Sequence, residues 1–504
     1  DRGAGITRGD ITELVPGAFA SGALFFSQNP FGTAPGGGVE PFTEDQIIID
    51  GKHTVSTRTD FNQATRDEFG LDATVEYELD NGVMLKSITA YKDYESELQY
   101  DLGGTAMQMF PNLQAEGNKQ FTQEFQILSS AEDRTRYVAG VFYLDNESEN
   151  EQYVAFGEHM YFIPVPTGAE TRLNADLSTR SMAIFGNVTH DLTDTTSIFA
   201  GLRYSDIEKE IKVSQSDSVF IFGLINLPNH KQKLSDDFVS WTVGVNHRIE
   251  TEAFEINLYA KSSQGYKEGG FTTRLLSLSE IGGDINNPNM GFDREEVLEY
   301  EVGMKGMFFE DRLRLNLAYY DLDYKDIQTT RLDDNDFSRI TNGPSATSKG
   351  FELDSTYIIS QYFRLVTSVG RSEAKYGTFT NCSPTRDCSG NYLPFSSEWT
   401  VSTSLDFQYP LEIFNWTLFG GLDYNYRSPR YTNPGNVFPP SANRFFNAQI
   451  GLRSEETGLQ LLLMGKNLRD EDNILSETRD NTFGHVSTRY GVPRSWTAQL
   501  TYSF

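Results

Sequence analysis

The residues able to do acid–base or metal chemistry are sparse and badly spaced for it. The six histidines, His53, His159, His190, His230, His247 and His485, never fall into the His-Glu-x-x-His spacing that sets two imidazoles on one helical face. No Gly-x-x-x-x-Gly-Lys-[Ser/Thr] loop is present to cradle phosphates; Gly465-Lys466 is followed by Asn467, in a strand pattern. A Gly-x-Ser-x-Gly nucleophile turn is also lacking. The acids Asp333-Asp334 and Asp470-Glu471-Asp472 offer oxygen ligands for Ca²⁺ but not the spacing of a liganding loop, so they read as solvated loop acids. The expectation is a protein that is not an enzyme and carries no cofactor and no metal.

Two other groups of residues have chemical content. Cys382 and Cys388 share a stretch rich in Ser, Pro, Asn and Gly, and an oxidising compartment would join them. Arg203, Lys261, Lys305 and Arg314, with Glu255, Glu299 and Glu301, sit in segments whose alternate residues are apolar, so all of these charges fall on one side of an extended chain. Tyr266, Phe271, Tyr392, Phe395, Tyr431 and Phe438 lie in the irregular stretches between such segments, where a large solute could be enclosed.

The elements that must carry these residues are strands. Leu313, Leu315, Leu317 and Tyr319 alternate with Arg312, Arg314 and Asn316, and Leu298 to Phe308 alternates in the same way against Glu299, Glu301 and Lys305. Trp416 and Tyr424 bracket Leu418, Gly420 and Leu422, and the closing segment sets Trp496, Ala498, Leu500, Tyr502 and Phe504 against Ser495, Thr497, Gln499, Thr501 and Ser503. Aromatics at the ends of an aliphatic face are what a lipid band with interfacial girdles requires, and Trp416, Tyr424, Trp496, Tyr502 and Phe504 are the girdle candidates. Seventeen such segments are expected, the first at 67–79 and the last at 494–504. Short turns such as Asp80-Asn81-Gly82 alternate with long connections near 96–118, 148–178, 213–233, 267–292, 331–345, 377–395, 428–441 and 469–493, the order of an antiparallel meander.

Composition agrees. With 36 Phe, 25 Tyr and 43 Gly among 504 residues the chain favours strands. A mean hydropathy of −0.45 leaves no run long enough for a membrane helix, whereas a barrel spreads its apolar residues over every second position. The net charge of −29 argues against a nucleic-acid partner.

Gly265-Tyr266-Lys267-Glu268-Gly269-Gly270-Phe271, then Asn287-Pro288, Glu295-Glu296 and Glu299-Tyr300-Glu301-Val302-Gly303-Met304-Lys305, resemble the barrel of TonB-dependent outer-membrane receptors. Lys349-Gly350-Phe351-Glu352, Lys466-Asn467-Leu468 and the closing Tyr502-Ser503-Phe504 are similar to later landmarks of the same family. The resemblance implies an all-β fold, a large antiparallel transmembrane β-barrel, of which about 17 strands of a 22-stranded wall are present. Residues 67–504 would form the barrel wall, and residues 1–66 a long extracellular loop segment following a missing strand. An odd count implies an open seam beside the first and last strands, because bacterial barrels have even numbers.

The implied function is active transport across the bacterial outer membrane of a scarce ligand, with ferric siderophore first and a saccharide or another large nutrient next. A passive porin or surface adhesion barrel is the alternative, and a secreted β-enzyme is third. The implied partners are an N-terminal plug absent from this sequence, the inner-membrane TonB energy-transducing complex, outer-membrane lipid and the nutrient itself. Tyr266, Phe271, Tyr392, Phe395, Arg203, Lys261 and Arg314 are the ligand-binding candidates.

Overall fold

The structure is a computed structural model, and it describes residues 9–14, 63–101, 111–155, 169–218, 224–273, 276–278, 281–286, 288–332, 338–380, 382, 386–412, 415–437, 441–480 and 485–504. Apart from single-turn elements, the regular structure of these residues is strand. In chain order the strands are β1 Gly9–Leu14, β2 Gln63–Glu78, β3 Met84–Asp101, β4 Pro111–Leu128, β5 Thr135–Ala155, β6 Glu170–Asp191, β7 Thr196–Asp217 and β8 Leu227–Glu250. They continue as β9 Phe254–Lys267, β10 Gly270–Phe271, β11 Gly291–Phe292, β12 Glu295–Phe308, β13 Leu313–Lys325, β14 Gln328–Leu332, β15 Ser338–Asn342 and β16 Ala346–Ser360. The last are β17 Phe363–Tyr376, β18 Trp399–Leu411, β19 Trp416–Arg427, β20 Asn443–Ser454, β21 Leu459–Lys466, β22 Ile474–Asp480, β23 His485–Tyr490 and β24 Ser495–Tyr502.

Seventeen of these strands curve into a barrel wall in which each pairs antiparallel with the next. The short turns use the expected chemistry. At Leu79 to Val83 the chain reverses with Gly82 at φ 77°, a conformation that suits glycine, and Asn81 Oδ1 accepts from the Val83 amide. The strands run further on their long-loop side than alternation indicates: β5 to β8 extend to Ala155, back to Glu170, out to Asp217 and back to Leu227.

The lower part of the wall keeps one code. Ile198, Leu202, Tyr204, Val239, Val243, Tyr300, Val302 and Tyr319 are exposed on the outside, as a lipid-facing band requires. Where strands leave this band upward, an outward tyrosine is followed two residues later by an outward aspartate. Tyr91 Oη donates to Asp93 and Tyr143 Oη to Asp145, both at 3.2 Å. Tyr204 with Asp206 and Tyr319 with Asp321 repeat the spacing. An amphipathic ring at the interface and a carboxylate in water beyond it fit that boundary.

Above the boundary the code reverses. On β6 to β8 the outward positions become Arg180, Glu208, Glu210, Lys212 and Lys233, while the inward positions become Leu173, Ala175, Ile207, Ile211 and Val213, all buried. Their apolar side is covered by the connection after β9, whose Phe271, Leu276, Ile281 and Met290 complete one core with Leu227. Burying side chains of this size is worth about 1.5–3 kcal/mol each.

The wall has a seam. Among the described residues no ladder joins β2 to β24; β2 is exposed along its whole length and β24 along most of it. The segment 1–66, expected to be one long loop, carries a strand: Gly9–Leu14 pairs with His485–Tyr490, which pairs in turn with Ile474–Asp480. A short strand at a sheet edge needs only backbone complementarity, which alternation does not report.

Candidate functional site

The inner face of the wall is divided into facets of different chemistry. On β9 and β12 the register sets Lys261 opposite Glu301, and its ammonium lies 3.2 Å from Glu301 and 3.4 Å from Glu299. Tyr259 Oη donates to Glu301 at 2.6 Å and Ser263 Oγ to Glu299 at 2.6 Å. Lys305 lies over the Tyr259 ring, 5.5 Å from its centroid, and that ring covers Gly303, where a Cβ would collide with it. The facet is a closed network of charges that satisfy one another.

Arg203 is held differently. It stacks over Phe142 at 5.3 Å and Phe185 at 5.6 Å and donates to Ser205 Oγ at 3.1 Å. Arg314 is exposed two residues from the Phe309 to Arg312 turn, at the end of the wall remote from the long loops. The three candidate bases are therefore not gathered into one site.

The candidate aromatics are divided as well. Tyr266 packs on Phe238 with centroids 4.4 Å apart, and Arg294 covers the Phe238 ring while bonding Asp236 and Glu296. Phe271 is buried in the core behind β6 to β8, so its ring is used in packing and is not offered to a solute. Tyr392 stacks on Tyr431 at 6.3 Å with Lys375 over its ring, whereas Phe395 is exposed and held by its backbone amide on the Tyr431 carbonyl. Phe438 lies outside the described residues.

Beside that second aromatic group, Cys382 and Cys388 are joined in a disulfide, buried with Phe379 and Tyr376. Ser389 donates its amide to Asp387 Oδ1, and bonds from Ser389 hold this carboxyl below its usual range. Arg430, in the next connection, is pushed down by burial and by Arg427. The girdle candidates Trp496 and Tyr502 are exposed on the outside, and Trp416 and Tyr424 are half-buried there. Asp470 is engaged by the Arg494 amide and guanidinium; Asp333-Asp334 lies outside the described residues, and no metal-holding group of three appears among them.

The chain after β9 does more than cover a core. Gln215 grips it through both amide atoms, accepting from the Leu276 amide at 2.6 Å and donating to the Leu276 carbonyl at 2.7 Å. Gln232 grips it again at Met290 and Asn289. Lys209 donates to the Gly269 carbonyl at 2.8 Å and pairs with Glu268 at 3.3 Å. Glu268 is thereby fixed opposite β3 to β6, and between them lies a cavity of about 430 Å³ lined by Lys92, Tyr94, Asn118, Gln120, Leu144, Asn146, Thr179 and Glu268.

None of these lining residues stands out in the sequence by type. The one available signal is amide density on alternate positions: Gln114, Asn118, Gln120 and Gln126 on β4 face Asn146, Asn150 and Gln152 on β5 through the register. The same positions of β4 also carry Glu116 and Glu124, so the facet offers amide donors and acceptors among carboxylates.

Comparison with known proteins places the architecture. The structure superimposes on the ferric yersiniabactin uptake receptor FyuA from Yersinia pestis with a TM-score of 0.71 at 15% identity, covering 88% of this chain and 62% of that one. The siderophore receptor PiuA from Acinetobacter baumannii gives 0.65 at 14% identity, covering 87% and 64%. The copper transporter OprC gives 0.62 at 16%, covering 87% and 65%. The chain thus spans less than two thirds of each of these structures, and at such identity the likeness is one of fold. A family model described as TonB dependent receptor-like, beta-barrel, matches residues 10–468. With the antiparallel wall, its lipid-facing band and that match over most of its length, the chain belongs to the TonB-dependent receptor-like β-barrel family.

Proposed function

We propose that this chain is the wall of an outer-membrane receptor that captures a scarce ligand at the cell surface and imports it at the expense of energy delivered from the inner membrane. The observation that carries the reading is the connection after β9, which packs on the inner face of β6 to β8, is gripped by Gln215 and Gln232, and frames an open-sided pocket with β3 to β6. In this reading the remaining wall strands occupy the free edges of β2 and β24, a plug fills the lumen, and the TonB complex is the energising partner. Ferric siderophore is the first ligand class to test, since FyuA and PiuA are siderophore receptors by name, and a saccharide or another large nutrient is the second.

The test is uptake in cells carrying the full-length receptor. Loss of the gene should abolish growth on a limiting ferric chelate or glycan, and collapse of the proton gradient should stop uptake while leaving surface binding intact. Uptake that persists without the gradient would identify a passive porin instead.

A further inference from the structure

The cavity between β3–β6 and Glu268 has a chemistry that selects among ligands. Of the two charged groups lining it, Glu268 pairs with Lys209 at 3.3 Å, whereas Lys92 shares Glu68 with Arg66, at 2.7 and 2.8 Å. The other lining residues are uncharged. Asn118 Nδ2 donates to Asn146 Oδ1 at 2.9 Å and to Ser148 Oγ at 2.6 Å, which fixes both amides and leaves Asn118 Oδ1 without a partner among the described residues. Gln120, directly opposite Asn146 in the register, and the nearly buried Thr179 likewise show no partner there. Tyr94 closes one side with an aromatic ring, already covered by Arg66 at 4.8 Å.

We infer that this cavity is a subsite for an uncharged, hydroxyl-rich segment of the transported ligand, with Asn118, Gln120, Asn146 and Thr179 as its hydrogen-bonding residues. The inference rests on the transport reading above and names the chemistry of its cargo. A hydroxyl both donates and accepts, and fixed amides match it on either count. The volume lies within the range of small-molecule sites and suits a few sugar rings. The segment belongs either to a free oligosaccharide or to sugar groups carried on a larger ligand such as a ferric chelate.

The experiment is calorimetric titration of the full-length receptor in detergent with maltohexaose, xylohexaose, a glucosylated ferric catecholate and its unglycosylated parent. At least one sugar-bearing probe should bind, and Asn118→Ala with Asn146→Ala should weaken it roughly tenfold or more, the loss of two hydrogen bonds. Heat-modifiable gel migration checks that the double variant is a folded wall. The inference is overturned if no sugar-bearing probe binds, if the double variant binds like the parent, or if neither hexaose binds and the unglycosylated chelate binds as tightly as the glucosylated one. That last result would leave the transport reading standing, whereas gradient-independent uptake of a bound sugar would overturn the transport reading and leave the subsite.

Discussion

The two halves of β7 have opposite inside and outside. Below its tyrosine–aspartate boundary, Leu202 is 60% exposed on the outer face while Arg203 points inward onto two aromatic rings; above it, Ile211 is fully buried inside while Glu208 and Glu210 face outward. One strand, whose ladder to β6 is continuous and whose ladder to β8 shifts register only between Val213 and Gln215, therefore serves two solvents. The apolar face follows whichever side excludes water: lipid outside in the lower half, a docked connection inside in the upper half.

The contrast is broken most severely from the upper side. Ile211→Asp would bury an unpaired carboxylate among Leu173, Val213 and Leu276, at a cost of several kcal/mol. The expected outcome is release of the connection after β9 from a wall that still inserts, read as new protease cleavage within 267–292 of heat-modifiable receptor. Next comes the lower half: Leu202→Arg places a charge on the lipid face and should cost about 2–4 kcal/mol at the bilayer midplane. It should lower the yield of folded barrel in lipid vesicles, whereas Leu202→Phe should not. If the two substitutions gave the same phenotype, the division of β7 would be wrong.

Smaller effects are expected where the fold is pinned locally. Replacing Cys382 and Cys388 with Ser removes a short closed loop and should cost about 2 kcal/mol. The loss should be confined to the 377–395 connection, measured as faster amide exchange there with wall strands unchanged. Smallest is the pH response of that loop. The Asp387 carboxyl is depressed in the folded state, so its contribution is present above its unfolded pKa, about 4, and is lost as pH falls through the lower folded value. Exchange in the loop should quicken there, and Asp387→Asn should abolish the response.

Much of the wall is legible in the sequence because a strand facing lipid on one side and polar lumen on the other must alternate. Turn residues such as Asn81-Gly82 fix where alternation restarts, and the seventeen wall strands stand close to their expected limits at their lower ends. Their upper ends were not legible. At Ile207, Ile211 and Val213 alternation continues with its sense inverted, and only the partner, the connection at 267–292, reveals which side is dry. For the same reason Phe271 reads as a loop aromatic open to a solute, although it is core. The cavity was hidden because its residues are brought together by register: Asn118 and Asn146 are 28 positions apart and neither is unusual alone. Lys261 reads correctly as inward, but its two carboxylate neighbours, which leave it little charge to offer, emerge only from the ladder between β9 and β12.

The double grip of Gln215 on Leu276 has a consequence for rates as well as for shape. Ordering a connection of this length when a solute arrives would lose about 1–2 kcal/mol of backbone entropy for every residue fixed. Here that loss is met once, during folding, by the core around Ile211 and by the amide bonds to Gln215 and Gln232. On the transport reading proposed above, a ligand would meet this connection already ordered, and its association would be limited by diffusion and by shedding of water.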